Sequence, residues 1–368
     1  MTRRADHLFD GIASFAALVA AARRAVRGKR SKPGAARFMA QLEPACLQLE
    51  HELRSGTYRP GRYREIVVHD PKRRLVSAAP FRDRVVHHAL VHAIGPVFER
   101  GFIFDSYANR VGKGTHRAVA RYEHFRDRHA FVLRADIWRY FPAIDHAILM
   151  QALARRIACR PTLALCQAVV EGSNEQEPVK LYFDGDDLFT PFERRRGLPL
   201  GNLTSQFFAN VYLDALDHWV TEVLRLPYLR YVDDFALFSR SETQLQDAQA
   251  GIAQWLQGRR LRLHPAKTQV RTCAEPAQFL GYVLHAGGLR RLPGPNVARF
   301  RQRLAALRGQ WLEGGVDAAT VQARVGAWVA HARHAHSTGL RHALMRGGWF
   351  DPFLADGRPA PSEPEARR

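Results

Sequence analysis

The stretch Tyr231–Asp234, with the sequence Tyr-Val-Asp-Asp, constrains the fold of this chain more than any other, because it places two adjacent carboxylates between two apolar runs. Strand-prone residues flank the acidic pair, from Tyr228 on one side to Phe238 on the other. This pattern predicts two strands joined by a tight turn. Two interpretations of the acidic pair are open: an ordinary turn, in which Asp is common, or a binding site for divalent metal, which prefers carboxylate oxygen.

The composition is that of a large, basic, globular protein. The 368 residues are 46% hydrophobic, which is enough for an extensive core and for two or three packed subdomains. Lys and Arg number 55 against 35 Asp and Glu, so the formal net charge is +20 with His neutral. Such an excess predicts a polyanionic partner, with nucleic acid first and an anionic membrane surface as the rival.

Apolar runs and cysteines bear on the cellular location. The longest apolar run near the N-terminus, at 12–22, is broken by Ser14 and is too short to span a bilayer. We therefore predict no membrane partner. The four cysteines include no Cys-x-x-Cys pair, which predicts a reducing, cytoplasmic location. Clustered His residues leave a zinc site open, although Cys ligands at a suitable spacing are missing.

Residues 1–57 are predicted to form a basic helical N-terminal extension. Between residues 18 and 39 there are seven basic residues, Arg23 and Arg24 among them, and no acidic residue. A solvated helix face would explain them. The density of positive charge without compensating carboxylates favours contact with a nucleic-acid backbone.

A second basic segment, at 105–116, contains the sequence Gly-Lys-Gly-Thr. It lacks the spacing of the phosphate-binding loop of ATPases, which argues against that class of enzyme. We predict instead that Arg110 and Lys113 contact a nucleic-acid backbone.

Hydrophobic periodicity predicts the remaining elements. Two strands are expected within 62–79, a helix at 82–99 and a hairpin at 180–192. A long helix is expected at 203–224, and helical pattern resumes from residue 296.

A third carboxylate, Asp136, also follows an apolar strand. Carboxylates at the ends of two strands can converge when the strands are neighbours in one sheet. Together with Asp233 and Asp234, Asp136 could bind two Mg²⁺ ions about 4 Å apart, with Mn²⁺ as a possible substitute. One ion would lower the pKa of a 3′-hydroxyl, and the other would stabilise a pyrophosphate leaving group.

The order of motifs resembles that of reverse transcriptases, over about residues 58–282. The catalytic motifs are matched by Asp136–Phe141, Gly201–Gln206 and Tyr231–Asp234, and by Lys267 in the following motif. The remaining matches are Lys72–Ser77 and Phe81–Arg84, which resemble the fingers motifs, and Phe279, Leu280, Gly281 and Tyr282, which resemble the primer grip.

The stretch Leu200–Gln206 narrows the resemblance. Most bacterial reverse transcriptases carry Gln-Gly-x-x-x-Ser-Pro here, whereas this chain has Leu-Gly-Asn-Leu-Thr-Ser-Gln. That form resembles the enzymes of diversity-generating retroelements, which are encoded by bacteria or phages. The resemblance implies an RNA-directed DNA polymerase that makes errors at template adenines, after which the cDNA replaces part of a variable gene. It also implies a small basic accessory protein as a partner, besides template RNA, the cDNA or primer, and dNTPs.

The resemblance also implies roles for single residues. Asp136, Asp233 and Asp234 would bind metal, and Lys267 would protonate the pyrophosphate. The incoming dNTP would be bound by Lys72, Arg74, Phe141 and Gln206, with Phe141 excluding a 2′-hydroxyl. The nascent base pair, where fidelity is set, would be lined by Leu200, Gly201 and Gln206.

The expected fold is an α+β right-hand polymerase with fingers, an antiparallel-sheet palm and a helical thumb. The implied boundaries are 58–130 and 147–196 for the fingers, 131–146 and 197–285 for the palm, 286–350 for the thumb and 351–368 for a disordered tail.

Two alternatives remain open. One is a reverse transcriptase of the group II intron, retron or CRISPR-associated type, which Gln206 and the lack of an integrase-like domain disfavour. The other is a non-catalytic RNA-binding scaffold on a polymerase fold, which would have no reason to keep three clustered, mutually repelling carboxylates.

Overall fold

The computed structural model describes residues 4–69, 74–174 and 176–345. Lys72 and the predicted tail at 351–368 lie outside these residues, and the side chain of Arg74 is not described. The chain divides into two compact units. The first contains the residues up to 118 and 132–270, and the second contains 119–131 and the residues from 271 onward.

The first unit opens with short helices that pack on a longer one. Ile12, Leu18 and Ala21 are fully buried, and their helices contact the helix at Phe81–Glu99. The predicted N-terminal extension is therefore part of the packed unit. The helices are α1 (Asp10–Ala13), α2 (Phe15–Ala25), α3 (Pro33–Ala40), α4 (Leu42–Arg54) and α5 (Phe81–Glu99).

A two-stranded hairpin with an exposed first strand, here called the exposed hairpin, precedes α5 and confirms the strands predicted within 62–79. Strands β1 (Arg64–Val68) and β2 (Arg74–Ala78) pair antiparallel, with Arg64 opposite Ala78. The base of the hairpin is fixed by a buried carboxylate, Asp83, which accepts hydrogen bonds from the Tyr58 hydroxyl (2.9 Å) and the Gly61 amide (2.8 Å). These bonds tie the segment before β1 to the start of α5.

A four-stranded sheet has the strand order β4-β5-β3-β6. Its strands are β3 (Phe131–Asp136), β4 (Tyr228–Tyr231), β5 (Asp234–Ser239) and β6 (Gln269–Thr272). The pair β4–β5 is antiparallel, as the sequence predicts. The sheet is accompanied by α6 (Thr115–Arg126), α7 (Tyr140–Ala143), α8 (His146–Ala154), α9 (Arg160–Glu171), α10 (Thr190–Glu193), α11 (Leu203–His218) and α12 (Glu242–Gln257).

The hairpin predicted at 180–192 is wrong, because the segment forms turns that lead into α10. Its carboxylates bond to nearby backbone instead of leaving the backbone to a strand ladder. Asp186 accepts from the Phe183 amide at 2.8 Å, and Asp187 accepts from the Thr190 amide at 2.7 Å. Such local side-chain bonds compete with regular secondary structure.

The second unit contains a three-stranded antiparallel sheet and a helical core. The strands are β7 (Ala277–Phe279), β8 (Tyr282–Leu284) and β9 (Arg290–Arg291), and the helices are α13 (Gly294–Leu312), α14 (Ala318–Ala332) and α15 (Thr338–Met345). Phe300, Leu304 and Leu307 form the buried face of α13 and pack with Val321 and Val325 of α14. In the part of the chain that the structure describes, no helix is long and apolar enough to cross a membrane.

Candidate active site

The hairpin that carries the acidic pair closes with a two-residue turn. Tyr231 pairs with Asp234 at the ends of β4 and β5, so Val232 and Asp233 form the turn itself. Val232 has a φ of 60°, in a left-handed region where a β-branched residue costs roughly 1–3 kcal/mol. Contacts outside the turn must therefore favour this conformation.

The third carboxylate meets this turn because β3 lies next to β5. Asp136 is the last residue of β3, and the amide of Ile137 donates a hydrogen bond to the carbonyl of Asp233 at 3.3 Å. The side chain of Asp136 is buried. The structure thus brings together Asp136, Asp233 and Asp234, as the sequence predicts.

Lys267 contacts the same group of carboxylates. Its Nζ donates to Oδ2 of Asp136 at 2.8 Å, and about half of the lysine side chain is exposed. The loop that carries the lysine is fixed by the amide of His264, which donates to the Asp136 carbonyl at 2.7 Å. The lysine is therefore held at the end of β3 by its own side chain and by the backbone of its loop.

The carboxylates repel one another. Burial first, and then the charges of Asp233 and Asp136, raise the pKa of Asp234 to about 7, although Lys267 and Arg134 oppose the increase. Like charges thus lie close together in a partly buried place. A bound cation would relieve this repulsion.

The donor set suits a divalent metal ion such as Mg²⁺, because all three side chains offer hard oxygen ligands. As the side chains stand, no group of three or more His, Cys, Asp or Glu residues in the described ranges is arranged to hold a metal ion. Oδ2 of Asp136 is engaged by Lys267 at 2.8 Å.

Phe141 lies at the start of α7. It is bonded to the loop that leads into Leu200–Gln206, the stretch here called the middle motif. The carbonyl of Phe141 accepts from the Leu198 amide at 2.9 Å, and its ring meets Tyr140 edge to face at 5.7 Å between centroids. Unlike the fully buried Tyr140, Phe141 is half-buried. Phe141 is thus partly exposed, as a residue that excludes the 2′-hydroxyl of an incoming nucleotide (a sugar gate) must be.

The middle motif is bound to the exposed hairpin. The amide of Ser77 donates to the Leu200 carbonyl at 3.0 Å, and Asn202 Nδ2 donates to the Ser77 carbonyl at 2.7 Å. Gly201 has a φ of 99°, and a Cβ there would lie 2.7 Å from a methyl group of Val76. Leu200 and Gln206, which precede and follow Gly201 in the sequence, are half-buried.

Asn202 is a residue that the sequence analysis missed. It occupies the position before α11, where Asn commonly caps a helix, but the structure shows no side-chain cap there. Its side-chain amide instead forms hydrogen bonds with the backbone at the end of β2, and only the tertiary structure reveals this contact.

Two cations that were predicted to contact a nucleic-acid backbone, Arg110 and Lys113, make bonds within the protein. Arg110 donates to Glu99 (2.7 Å) and to the carbonyls of Ile103 and Ser106, and its side chain is 7% exposed. Lys113 donates to the Phe104 carbonyl at 2.6 Å and lies over the Phe104 ring. Arg110 is thus nearly buried, whereas Lys113 remains partly exposed. On α2, Arg23 is exposed and Arg24 is half-buried.

The predicted primer-grip residues form a tight hairpin in the second unit. Leu280 and Gly281 make the turn, with φ values of 45° and 88°. Phe279 stacks on Tyr122 at 4.7 Å between centroids, and the hydroxyl of Tyr282 bonds to His331. The two aromatic side chains are thus buried anchors, and the turn between them projects from these anchors.

A comparison with protein families identifies the fold. The family model described as reverse transcriptase (RNA-dependent DNA polymerase) matches residues 68–284, which is more than half of the chain. The chain belongs to the reverse transcriptase family. This confirms the predicted α+β polymerase fold, and the carboxylate cluster lies within the matched region of this reverse transcriptase.

Individual relatives of this reverse transcriptase are distant. Protein YkfC of Escherichia coli (strain K12) is 24% identical, over 67% of this chain and 73% of that protein. Telomerase of Candida albicans, solved with a fragment of telomeric RNA, matches with a TM-score of 0.44 and 14% identity. Apo telomerase of Candida tropicalis matches with a TM-score of 0.44 and 13% identity.

The two telomerase matches cover 64% and 63% of this reverse transcriptase. This chain spans about half of the length of the telomerase chains, namely 46% and 55%.

We expect Asp234→Asn to stabilise the metal-free protein, and to do so more at pH 8 than at pH 5. The pKa of Asp234 in the folded protein lies above its ordinary value of 3.8. The folded state therefore keeps a proton that the unfolded chain releases, so stability falls as the pH rises from about 4 to about 7. The amide variant escapes this loss, which is on the order of a few kcal/mol. Thermal unfolding at the two pH values, without divalent metal, measures the difference.

The matched control is Asp247→Asn, at an exposed carboxylate on α12. Its unfolding temperature should differ from that of the wild type by the same small amount at both pH values. An effect of Asp234→Asn that does not grow with pH would contradict the electrostatic account.

Proposed function

We propose that this reverse transcriptase adds dNTPs to the 3′-end of a primer or cDNA on a template RNA, and that it serves a diversity-generating retroelement. The observation that carries the polymerase function is the convergence of Asp136 with the acidic turn, with Lys267 bonded to Asp136 at 2.8 Å. Family membership supports the same reaction.

Asp136, Asp233 and Asp234 are proposed to hold two divalent ions, Mg²⁺ or Mn²⁺. When bound, such ions supply Lewis-acid activation of the 3′-hydroxyl and neutralise charge on the pyrophosphate. Lys267 is proposed to donate a proton to the pyrophosphate, and its Nζ lies 2.8 Å from Oδ2 of Asp136. To act, Nζ exchanges the carboxylate oxygen of Asp136 for a phosphate oxygen.

The incoming dNTP is proposed to lie between the exposed hairpin and the middle motif. Arg74 begins β2, and Lys72 precedes it outside the described residues; both would bind the triphosphate. Phe141 would exclude the 2′-hydroxyl of rNTPs. Gln206 would contact the dNTP from α11.

Fidelity is proposed to be set by Leu200, Gly201 and Gln206. The support is the Leu-Gly-x-x-x-Ser-Gln sequence together with the bonds that hold this motif against β2. Errors at template adenines, and a small basic accessory protein, follow from the retroelement assignment. A bacterial cytoplasm, as host of a bacterial or phage-encoded enzyme, is the corresponding location.

Nucleic acid is proposed to contact both units. The proposed contacts are the primer grip at Phe279, Leu280, Gly281 and Tyr282 and the backbone contacts at Arg23, Arg24, Arg110 and Lys113, of which Arg23 is the most accessible. The proposed subdomains keep the boundaries given above: 58–130 and 147–196 for the fingers, 131–146 and 197–285 for the palm, and 286–350 for the thumb.

We expect Asp233→Asn to abolish primer extension on an RNA template while leaving RNA binding intact. A ligand to a catalytic metal is worth several kcal/mol, and a loss of about 4 kcal/mol corresponds to roughly a 10³-fold fall in rate. Extension of a labelled primer with Mg²⁺ and dNTPs measures the rate, and fluorescence anisotropy of labelled RNA measures binding.

Asp247→Asn again serves as the control, because it makes the same chemical change at an exposed position. It should extend primers at the wild-type rate. Extension by Asp233→Asn at a comparable rate would rule out the proposed metal ligand.

We expect Phe141→Ala to incorporate rNTPs. Removing the ring opens space for a 2′-hydroxyl, and steric discrimination of this size contributes about 10- to 200-fold. The ratio of kcat/KM for dGTP to that for GTP, measured on an RNA template, should fall by such a factor. Phe189→Ala, at an exposed phenylalanine, should keep the wild-type ratio, and an unchanged ratio in Phe141→Ala would assign that ring to the core.

We expect Leu200→Ala and Gln206→Ala to change misincorporation opposite adenine by at least about threefold, and more than opposite other template bases, because small pocket changes are worth about 1 kcal/mol or more. Sequencing of cDNA made from a defined RNA template gives the error spectrum. Gln246→Ala, on the exposed face of α12, is the control. Errors spread evenly over the four template bases in the wild type would favour another bacterial class of reverse transcriptase.

A further inference from the structure

A buried ion pair lies beneath the acidic turn. Arg230 of β4 and Asp217 of α11 are both fully buried. The guanidinium is bound bidentately: Nη2 donates to Oδ2 of Asp217 at 2.6 Å and Nε donates to Oδ1 at 2.7 Å. Because such a pair contributes little net stability in comparison with apolar side chains, its contacts with the rest of the site become informative.

The third nitrogen of this guanidinium, Nη1, bonds to the turn itself. Nη1 of Arg230 donates to the carbonyl of Val232 at 3.0 Å and to Oδ1 of Asn210 at 3.1 Å. Val232 is the residue with the unfavourable positive φ, and it directly precedes Asp233. The hydrogen bond therefore acts at the one peptide group whose conformation decides where the two carboxylates point.

The partners of Arg230 are themselves fixed. The Tyr228 hydroxyl donates to Asp217 at 2.8 Å, and Asn210 Nδ2 donates to the Ala108 carbonyl at 2.8 Å. The backbone of Arg230 is held on its other edge, because its amide donates to the Asp105 carbonyl at 2.9 Å and its carbonyl accepts from the Tyr107 amide at 2.9 Å. The guanidinium thus has little freedom to leave the turn.

Asp217 also balances the positive charge of Arg230. Burial alone would lower the pKa of Arg230, but the Asp217 carboxylate outweighs burial and raises it above its usual value. With its charge balanced by Asp217, the arginine acts on the turn mainly as a hydrogen-bond donor. The negative charge of the catalytic carboxylates is left for metal.

We propose that Arg230, anchored by Asp217, is a positioning residue that holds the Val232–Asp233 turn in the geometry in which Asp233 and Asp234 bind divalent metal. This inference rests on the proposed role of the carboxylates as metal ligands. It assigns the buried pair to metal affinity and turnover, in addition to any contribution to folding.

The first test is Arg230→Lys. A lysine keeps the charge opposite Asp217 but cannot bond bidentately and also reach the Val232 carbonyl. Residues that orient metal ligands typically account for 10- to 100-fold in affinity or activity. We expect the Kd for Mn²⁺, measured by calorimetric titration, to rise at least about tenfold and kcat to fall by a similar factor. The KM for dNTP should change less than about twofold, since no dNTP contact is altered.

The control is Arg156→Lys, at a partly exposed arginine 3.6 Å from Asp214, which also lies on α11. Its Mn²⁺ affinity and kcat should equal those of the wild type. If Arg230→Lys also binds Mn²⁺ and turns over like the wild type, the positioning role is overturned. If Arg230→Lys does not fold, Asn210→Ala replaces it: weakened Mn²⁺ binding supports the role and unchanged binding overturns it.

The second test uses Val232→Gly. Glycine adopts a positive φ without strain, so the turn should depend less on Arg230. In this background the effect of Arg230→Lys on Mn²⁺ affinity should shrink from about tenfold to about threefold or less. Equal effects in the two backgrounds would show that the arginine does not act through the turn.

Mn²⁺ binding by the wild type and by Asp233→Asn separates the two levels of the proposal. If the wild type binds no Mn²⁺, the proposed metal site fails and the positioning role with it. If the wild type binds Mn²⁺ and Asp233→Asn does not, the metal site stands, and Arg230→Lys alone decides the positioning role.

Discussion

Repulsion among three carboxylates is the constraint around which this site is organised. Asp136 and the acidic turn come together because β3 and β5 are adjacent strands. The pKa of Asp234 is raised by burial first and then by the charges of Asp233 and Asp136. Lys267 offsets only part of the charge. The fold therefore supplies the rigidity needed to keep like charges close, through the sheet on one side and the buried Arg230–Asp217 pair on the other.

Hydrogen bonds also hold the middle motif to the exposed hairpin. Asn202 and the Leu200 carbonyl bond to the strand that begins at Arg74, and Phe141 bonds to Leu198 of the same loop. The proposed sugar gate, base-pair pocket and triphosphate site are thus parts of one hydrogen-bonded assembly.

Much of the fold and of the site could be predicted from the sequence, because local patterns encode them. Short runs of apolar, strand-prone residues predict the strands around the acidic turn, and the order of motifs predicts the family, which the family model confirms. The segment at 180–192 was misassigned because Asp186 and Asp187 bond to nearby backbone. Arg110 bonds within the protein, and Arg230 pairs with Asp217 of another element. A count of charges along the sequence cannot reveal either contact.

The close approach of Gly201 to Val76 limits how such an enzyme can evolve. Even a methyl group at position 201 would meet the valine side chain at 2.7 Å, and the positive φ already disfavours any other residue. Variation in the proposed base-pair pocket is therefore confined to Leu200 and Gln206, which are half-buried. On the proposal that this motif sets fidelity, substitutions at these two positions would change copying accuracy while Gly201 stays invariant.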